Sequence, residues 1–267
     1  MARLVLATRN PGKVAEMREI LRDRGPGAVE VLSCADFPYL GDVVEDGETF
    51  EENAREKALA VADATGEVAL ADDSGLEVDA LGGAPGVRSA RFSGEALPRG
   101  ASRDRANYEK LLSLLADVPD SMRTARFRCA VAVAAPGGRV RTAKGTCEGR
   151  IAFAPRGSGG FGYDPVFVPD GCDRTFAELG PEVKNTISHR ARALRAAVPA
   201  IRELLGPAAP GLVNGAWRRA CDDDGDGDGG GDGDGDGDRG GGRGRGGGGG
   251  RGRGAGGGPG AAEAGRL

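Results

Sequence analysis

Apolar residues along the first 205 positions recur with two different periods. Leu4-Val5-Leu6-Ala7 is a short run of the buried-strand type. After the turn-rich stretch Thr8–Lys13, the residues Val14, Met17, Ile20 and Leu21 take helical spacing until Gly25-Pro26-Gly27 stops the helix. Val29–Leu32 predicts a second strand, and 42–48 is an acidic connector. Thr49-Phe50-Glu51-Glu52 fits a capping box, in which the Thr49 hydroxyl accepts from the third helical amide while Glu52 reaches back; the helix it opens runs to about Gly66. Val68–Ala71 predicts a short strand ending in a polar segment, Asp72-Asp73-Ser74-Gly75. Leu76–Leu81 resumes extended until the glycines between Gly82 and Gly86 force a turn.

The second half adds a helix over Asn107–Ala116, with Tyr108, Leu111, Leu112 and Leu115 on one face. From Thr124 to Val133 the period changes to two, Arg126 and Arg128 alternating with Ala125, Phe127 and Cys129, which predicts an antiparallel strand with one wet face. Gly137-Gly138 turns it into a hairpin partner, Val140–Cys147. A glycine-rich loop (157–164), a short strand (Val166–Val168) and a last helix from about Ser188 follow, with Pro199 expected to kink or break that helix. The order predicts an α/β fold with a mixed sheet flanked by helices.

Composition separates a body from a tail. Of 49 glycines, 24 lie in residues 221–267, which also hold 10 acids and 6 arginines. The remainder carries 30 acids against 30 bases, so the formal charge of −4 belongs to the tail. Residues 206–220 read as a linker and 221–267 as a disordered low-complexity segment. Within it, Asp224–Gly229 resembles the start of a calcium loop, but the glutamate required at its twelfth position is Gly235, or Arg243 in the register from Asp232. The arginine-glycine part (239–253) has no interleaved aromatics, so no nucleic-acid partner is expected. No apolar run approaches a membrane span or a signal-peptide core, so no membrane partner is expected and a cytoplasmic protein is the default. Five scattered cysteines exclude a zinc ribbon. The single histidine, His189, excludes a multi-histidine metal site, so any metal falls to carboxylates.

Four clusters carry candidate chemistry. Thr8, Arg9, Asn10, Pro11, Gly12 and Lys13 lie between strand and helix, where helix amides and a lysine suit a phosphate; the same residues also suit an ordinary turn. Asp72 and Asp73 are adjacent acids that suit a divalent cation or a general base, or a polar turn. Phe161, Gly162, Tyr163 and Asp164 combine backbone freedom with a ring able to stack on a base, or form a flexible loop with one anchor. Lys184, His189 and Arg190 surround a helix start, where cations oppose the dipole and so point to an anion or polar ligand; a lone histidine equally suits a structural role.

Together these stretches, LATRNPGK (6–13), TFEENAREKA (49–58), ADDSGLEVDALGGAPGVRSARFSG (71–94), GGFGYDPVF (159–167) and KNTISHRARAL (184–194), resemble the inosine/xanthosine triphosphate pyrophosphatases over about residues 2–205. The resemblance implies an elongated mixed-sheet fold and a 1–205 catalytic domain. It further implies a homodimer, a magnesium requirement, and hydrolysis of ITP, dITP and XTP to the monophosphate and pyrophosphate. It implies that Asp73 is the proton acceptor and a metal ligand, joined by Glu45 or Asp46 of the acidic connector. It implies substrate contacts from Thr8, Arg9, Asn10, Pro11, Gly12, Lys13, Lys57 and Ser74, from Phe161 to Asp164, and from Lys184, His189 and Arg190. His189 and Arg190 are the donors expected to read a 6-oxo group. The related Maf-like nucleotide pyrophosphatases are the alternative, against which the SHR and FGYD motifs argue.

Overall fold

The protein is described by a computed structural model covering residues 2–24, 29–41, 43, 46–94 and 100–206. The expected tail, and the expected linker beyond Gly206, lie outside the described residues. Residues 2–206 belong to one compact unit.

One six-stranded sheet organises the body, in the order β2-β1-β3-β4-β5-β6. β1 (Ala2–Leu6), β2 (Val29–Ser33) and β3 (Val68–Val78) are mutually parallel and linked by helices α1 (Pro11–Arg24) and α2 (Phe50–Thr65). β3 then pairs antiparallel with β4 (Thr124–Ala134), β4 with β5 (Val140–Ile151), and β5 with β6 (Phe167–Pro169). α3 (Ala101–Leu114) connects β3 to β4, and α4 (Phe176–Ile187) and α5 (His189–Leu205) close the chain. The mixed α/β sheet expected from sequence is therefore present.

Alternation along the strands sorts the core onto two faces. Leu4, Leu6, Val68 and Leu70 pack with Met17 and Ile20 of α1 and with Leu194 and Ile201 of α5. Val5, Ala69 and Ala71 pack on the other face with Ala54, Ala58 and Val61 of α2. The Thr49 capping box forms as expected: Thr49 Oγ1 accepts from Glu52 N at 3.1 Å and Glu52 Oε2 accepts from Thr49 N at 3.0 Å. Gly66 ends α2 at φ 72°.

Four expectations change. Asp72–Gly75 is the middle of one unbroken strand and not a turn after a short one, because β4 pairs with β3 all the way from Ala69 to Val78. β4 has a partly wet face only in its first half; Ala130, Ala132 and Ala134 are buried because α2 covers that end. α5 runs unbroken through Pro199, whose position is solvent-exposed, so water can satisfy the carbonyl it leaves unpaired. α4 was not foreseen. Its Thr175–Glu178 capping box starts a helical segment that Gly180 (φ 79°) and Pro181 kink before it resumes to Ile187.

Gly145 of β5 lets α5 lie directly on the sheet: a Cβ there would collide with the His189 carbonyl and the Ala193 amide. Gly145→Ala is expected to lower unfolding stability by about 1–3 kcal/mol, read by chemical denaturation; an unchanged midpoint would contradict this close approach.

Candidate active site

The parallel and antiparallel halves of the sheet separate at β3. β1 pairs with β3 only as far as Leu6 opposite Leu70, with Ala7 N donating to Leu70 O at 2.7 Å. From Leu76 onward the same edge is met by the 84–91 segment: Leu76 N donates to Ser89 Oγ at 2.9 Å and Val78 N to Ala84 O at 3.2 Å. Among the described residues no strand pairs with the intervening edge, Ala71–Gly75. Ligands of open α/β sheets bind beyond the carboxyl ends of parallel strands, where the chain diverges, and this stretch is such a place.

Strand pleating then sends adjacent side chains to opposite faces. Asp72 and Ser74 continue the row of Leu70 toward α1 and α5, and Asp73 continues the row of Ala71 toward α2. The two adjacent acids are therefore not one pincer. Asp72 is buried and takes Lys13 Nζ of α1 at 3.0 Å and Arg190 of α5, whose Nε and Nη2 lie 3.2 and 3.1 Å from Oδ2. Burial alone would raise the Asp72 pKa, but Lys13, Arg190 and Lys57 outweigh it and hold the carboxyl well below the usual range. Asp73 Oδ2 accepts from Asn53 Nδ2 at 3.0 Å, and Lys57 Nζ stands 3.5 Å from Oδ1 while donating to the Asp72 carbonyl at 2.8 Å.

The Asp72 side extends into a chain of alternating charge. Arg190 also donates to Ser74 Oγ at 3.0 Å and to Glu16. Glu16 accepts from Lys184 Nζ at 2.7 Å, and Lys184 Nζ lies 2.5 Å from Asp164 Oδ2. Arg190 is held charged and Glu16 is held below its ordinary value by Arg190 and Lys184 against its burial. Asp164 is shifted upward by burial, which Lys184 only partly offsets.

The 161–164 loop and the 8–13 loop meet this chain. The half-buried Phe161 ring has Lys184 Nζ at 4.4 Å and Arg190 Cζ at 5.5 Å from its centroid. It also lies so close to Gly12 that a Cβ there would stand 3.1 Å from a ring carbon. Asn10 caps α1, its Oδ1 accepting from Gly12 N at 2.9 Å and Lys13 N at 3.3 Å, with Pro11 in the first helical position. Two amides expected to meet phosphate are thus already bonded to Asn10. Thr8 Oγ1 accepts from Asn10 N at 3.2 Å, and Arg9 donates to the Leu40 carbonyl. Tyr163 is buried with its hydroxyl on the Ser89 carbonyl at 2.9 Å.

His189 is buried and stacks on Phe127, centroids 4.5 Å apart and planes 10° from parallel. Burial, then the nearby charges of Arg190 and Lys184, hold it neutral. Among the described residues its Nδ1 has no hydrogen-bond partner. The cation expected at the start of α5 is thus Arg190 alone. Cys129 faces the same cluster, but burial and Asp72 push its thiol up to about 12, so it offers no nucleophile.

Asn53 and Glu16 were not singled out from sequence. Asn53 stands four residues before Lys57 on the otherwise apolar face of α2, and that polar pair was the available signal. Glu16 sits three residues after Lys13 and looks like any surface acid until α4 and α5 are in place. Glu45 lies outside the described residues; Asp46 is described and exposed. Asn53 Oδ1 accepts from Gly47 N at 2.9 Å, so the end of the acidic connector is tied to Asp73 through one side chain. Among the described residues no three His, Cys, Asp or Glu side chains form a metal-holding group.

An unfolded histidine titrates near 6.5, whereas His189 stays neutral well below that. Below pH about 6.5 the unfolded chain therefore binds a proton that the native protein does not, and stability falls by about 1.4 kcal/mol per pH unit. Subtracting the denaturation free energies of His189→Phe from those of the native protein isolates this effect. The difference is expected to decline from pH 7 to 5, and a flat difference would contradict the neutral, buried histidine.

A model of the Ham1 family matches residues 4–200. A dITP/XTP pyrophosphatase of Desulforamulus reducens is 56% identical over 202 residues, 76% of this chain and 96% of that protein. One from Streptomyces coelicolor is 51% identical over 206 residues, 77% of this chain and 100% of that protein. Among solved structures, a HAM1 protein from Coxiella burnetii superimposes with TM-score 0.66 at 41% identity, covering 76% of this chain and 100% of its own. A nucleoside-triphosphatase / dITP/XTP pyrophosphatase from Mycobacterium abscessus does so with TM-score 0.59 at 46% identity, covering 74% and 99%.

Proposed function

The chain belongs to the Ham1 family, and from that premise we propose that it hydrolyses the non-canonical purine nucleoside triphosphates ITP, dITP and XTP to the monophosphate and pyrophosphate. The observation that carries this reading is the edge of β3 over Ala71–Gly75 that no strand pairs among the described residues, flanked by Lys57 and Asp73 on one face and by Lys13 and Ser74 on the other. Relatives named dITP/XTP pyrophosphatase support it over the Maf-like alternative.

Asp73 is the general base. It is an acceptor oriented by Asn53 with the Lys57 ammonium beside it, and in this reading it takes a proton from the water that attacks the α-phosphorus. Lys13, Lys57 and the hydroxyls of Thr8 and Ser74 hold phosphate oxygens and offset charge on the leaving pyrophosphate. Arg9, Asn10, Pro11 and Gly12 shape that loop. Phe161, Gly162, Tyr163 and Asp164, with Lys184, His189 and Arg190, form the base end, Phe161 offering the stacking face. Most of Arg190 is occupied by Asp72, Ser74 and Glu16, so its role is to organise the cluster as much as to read the base.

The cluster pairs four cations (Lys13, Lys57, Lys184, Arg190) with four carboxylates (Glu16, Asp72, Asp73, Asp164). A triphosphate therefore meets a cluster with no charge surplus, and a divalent cation, when bound, would supply the missing neutralisation. The oxygen donors of Asp73 and of the connector that Asn53 ties to it fit Mg2+, which is commonly held by one or two carboxylates with phosphates and water completing its shell. Asp73 and Glu45 or Asp46 would hold it. Among the described residues no helix is long and apolar enough to cross a membrane. The proposal extends to a homodimer acting on the cytoplasmic nucleotide pool.

Pyrophosphate release should be measured from ITP, XTP, GTP and ATP with Mg2+ or with EDTA. ITP and XTP are expected to exceed ATP and GTP by about a hundredfold or more in kcat/KM, with activity lost in EDTA. Equal turnover of all four, or release of orthophosphate in place of pyrophosphate, would overturn the assignment.

A further inference from the structure

The loop carrying Phe161 is rich in glycine, with Gly157, Gly160 and Gly162 all in the left-handed region at φ 77°, 74° and 63°. Such a segment has much conformational entropy to lose on ordering. Inside the loop, Phe161 N donates to Asp164 Oδ2 at 2.9 Å and Asp164 N to Phe161 O at 3.3 Å. Those bonds set the local turn, and its C-terminal side is held by Lys184 Nζ on Asp164 Oδ2 and by Phe167 N on the Tyr163 carbonyl at 3.1 Å. Two further bonds reach the loop from Ser89 and Asp104. Tyr163 donates its hydroxyl to the Ser89 carbonyl at 2.9 Å, and Gly162 N donates to Asp104 Oδ2 at 2.8 Å.

Ser89 is itself anchored, its hydroxyl accepting from Leu76 N of β3 and donating to Gly86 O at 2.6 Å. Asp104 lies in the first turn of α3, where a carboxylate is also favoured by the helix dipole. It is separate from the charge chain: among the described residues its side-chain hydrogen bond is the one to Gly162. A charge-assisted bond from a carboxylate to a backbone amide is among the stronger single fixings available.

We infer that Asp104 is a positioning residue for nucleotide binding, clamping the Gly162 amide so that the Phe161 ring is held in place beside Lys184 and Arg190 before the base arrives. The inference rests on the reading of Phe161–Asp164 as the base wall. Loss of the clamp leaves Asp73 and its partners untouched, so the cost falls on binding: the loop must be ordered at the moment the nucleotide enters.

The experiment compares native protein, Asp104→Ala, Asp104→Ser and Asp104→Asn in Mg-ITP steady-state kinetics, thermal unfolding and hydrogen exchange of the 159–164 segment. Asp104→Ala is expected to raise KM about tenfold, the size of one lost hydrogen bond to a charged group, with kcat essentially unchanged and exchange of the segment faster. Asp104→Asn keeps an acceptor for Gly162 and restores KM and exchange close to native, although it loses the same helix-dipole charge. Asp104→Ser, too short to reach, behaves like alanine and stands in for it should alanine not fold.

If Asp104 acts only through α3 stability, alanine and asparagine lower the melting temperature alike while KM and exchange stay native, and the inference is overturned. It is equally overturned if asparagine is as impaired as alanine. Should the native protein fail to hydrolyse ITP, the base-wall reading falls. The exchange measurement still decides the clamp, because unchanged exchange in Asp104→Ala overturns it and faster exchange rescued by asparagine sustains it.

Discussion

The pleat of β3 decides what this site can be. Two carboxylates adjacent in sequence are sent to opposite faces of the sheet, at the one stretch where β1 has ended and the 84–91 segment has not yet begun. Each acid then meets a different helix. Asp73 meets Asn53 and Lys57 of α2, and Asp72 meets Lys13 of α1 and Arg190 of α5. A strand displaced by one residue would exchange the two environments. The ten-residue pairing with β4, from Ala69 to Val78, fixes the register against that slip.

The two environments divide the work. On the Asp72 side, carboxylates and cations alternate from Lys13 to Asp164, and four of the six members, Asp72, Arg190, Lys184 and Asp164, are buried. Buried pairs of this kind are poor sources of net stability but costly to break, since removing one partner strands the other. The chain joins α1, α4, α5 and the 161–164 loop into one framework with Phe161 at its edge. Asp73, by contrast, meets the Asn53 amide and the Lys57 ammonium on the α2 side and is tied to the acidic connector through Asn53.

Much of this was legible in the sequence, for identifiable reasons. The Thr49 cap, the strands β1 to β3, the hairpin at Gly137-Gly138 and the Ser188 start of α5 follow from local patterns. The motifs marked Lys13, Lys57, Asp73, Lys184 and Arg190, and the fold brings all five into one cluster. What escaped was set by long-range pairing. Asp72–Gly75 has turn composition, and only the β4 ladder keeps it extended. Glu16 becomes part of the site because two helices more than 150 residues away close over it. His189 is a neutral ring stacked on Phe127, a burial that no local signal distinguishes from a surface cation.

The central claim is that neighbouring acids serve separate functions, Asp73 in catalysis and Asp72 in holding the cations. The most direct measurement is a side-by-side comparison of Asp72→Asn and Asp73→Asn by thermal unfolding and ITP turnover. Asp73→Asn is expected to melt close to the native temperature with kcat lowered by about a hundredfold or more. Asp72→Asn is expected to lose about 3–5 kcal/mol of stability, because Lys13 and Arg190 are left without their shared partner. Near-native turnover by Asp73→Asn, or an Asp72→Asn protein as stable as the native one, would contradict the account.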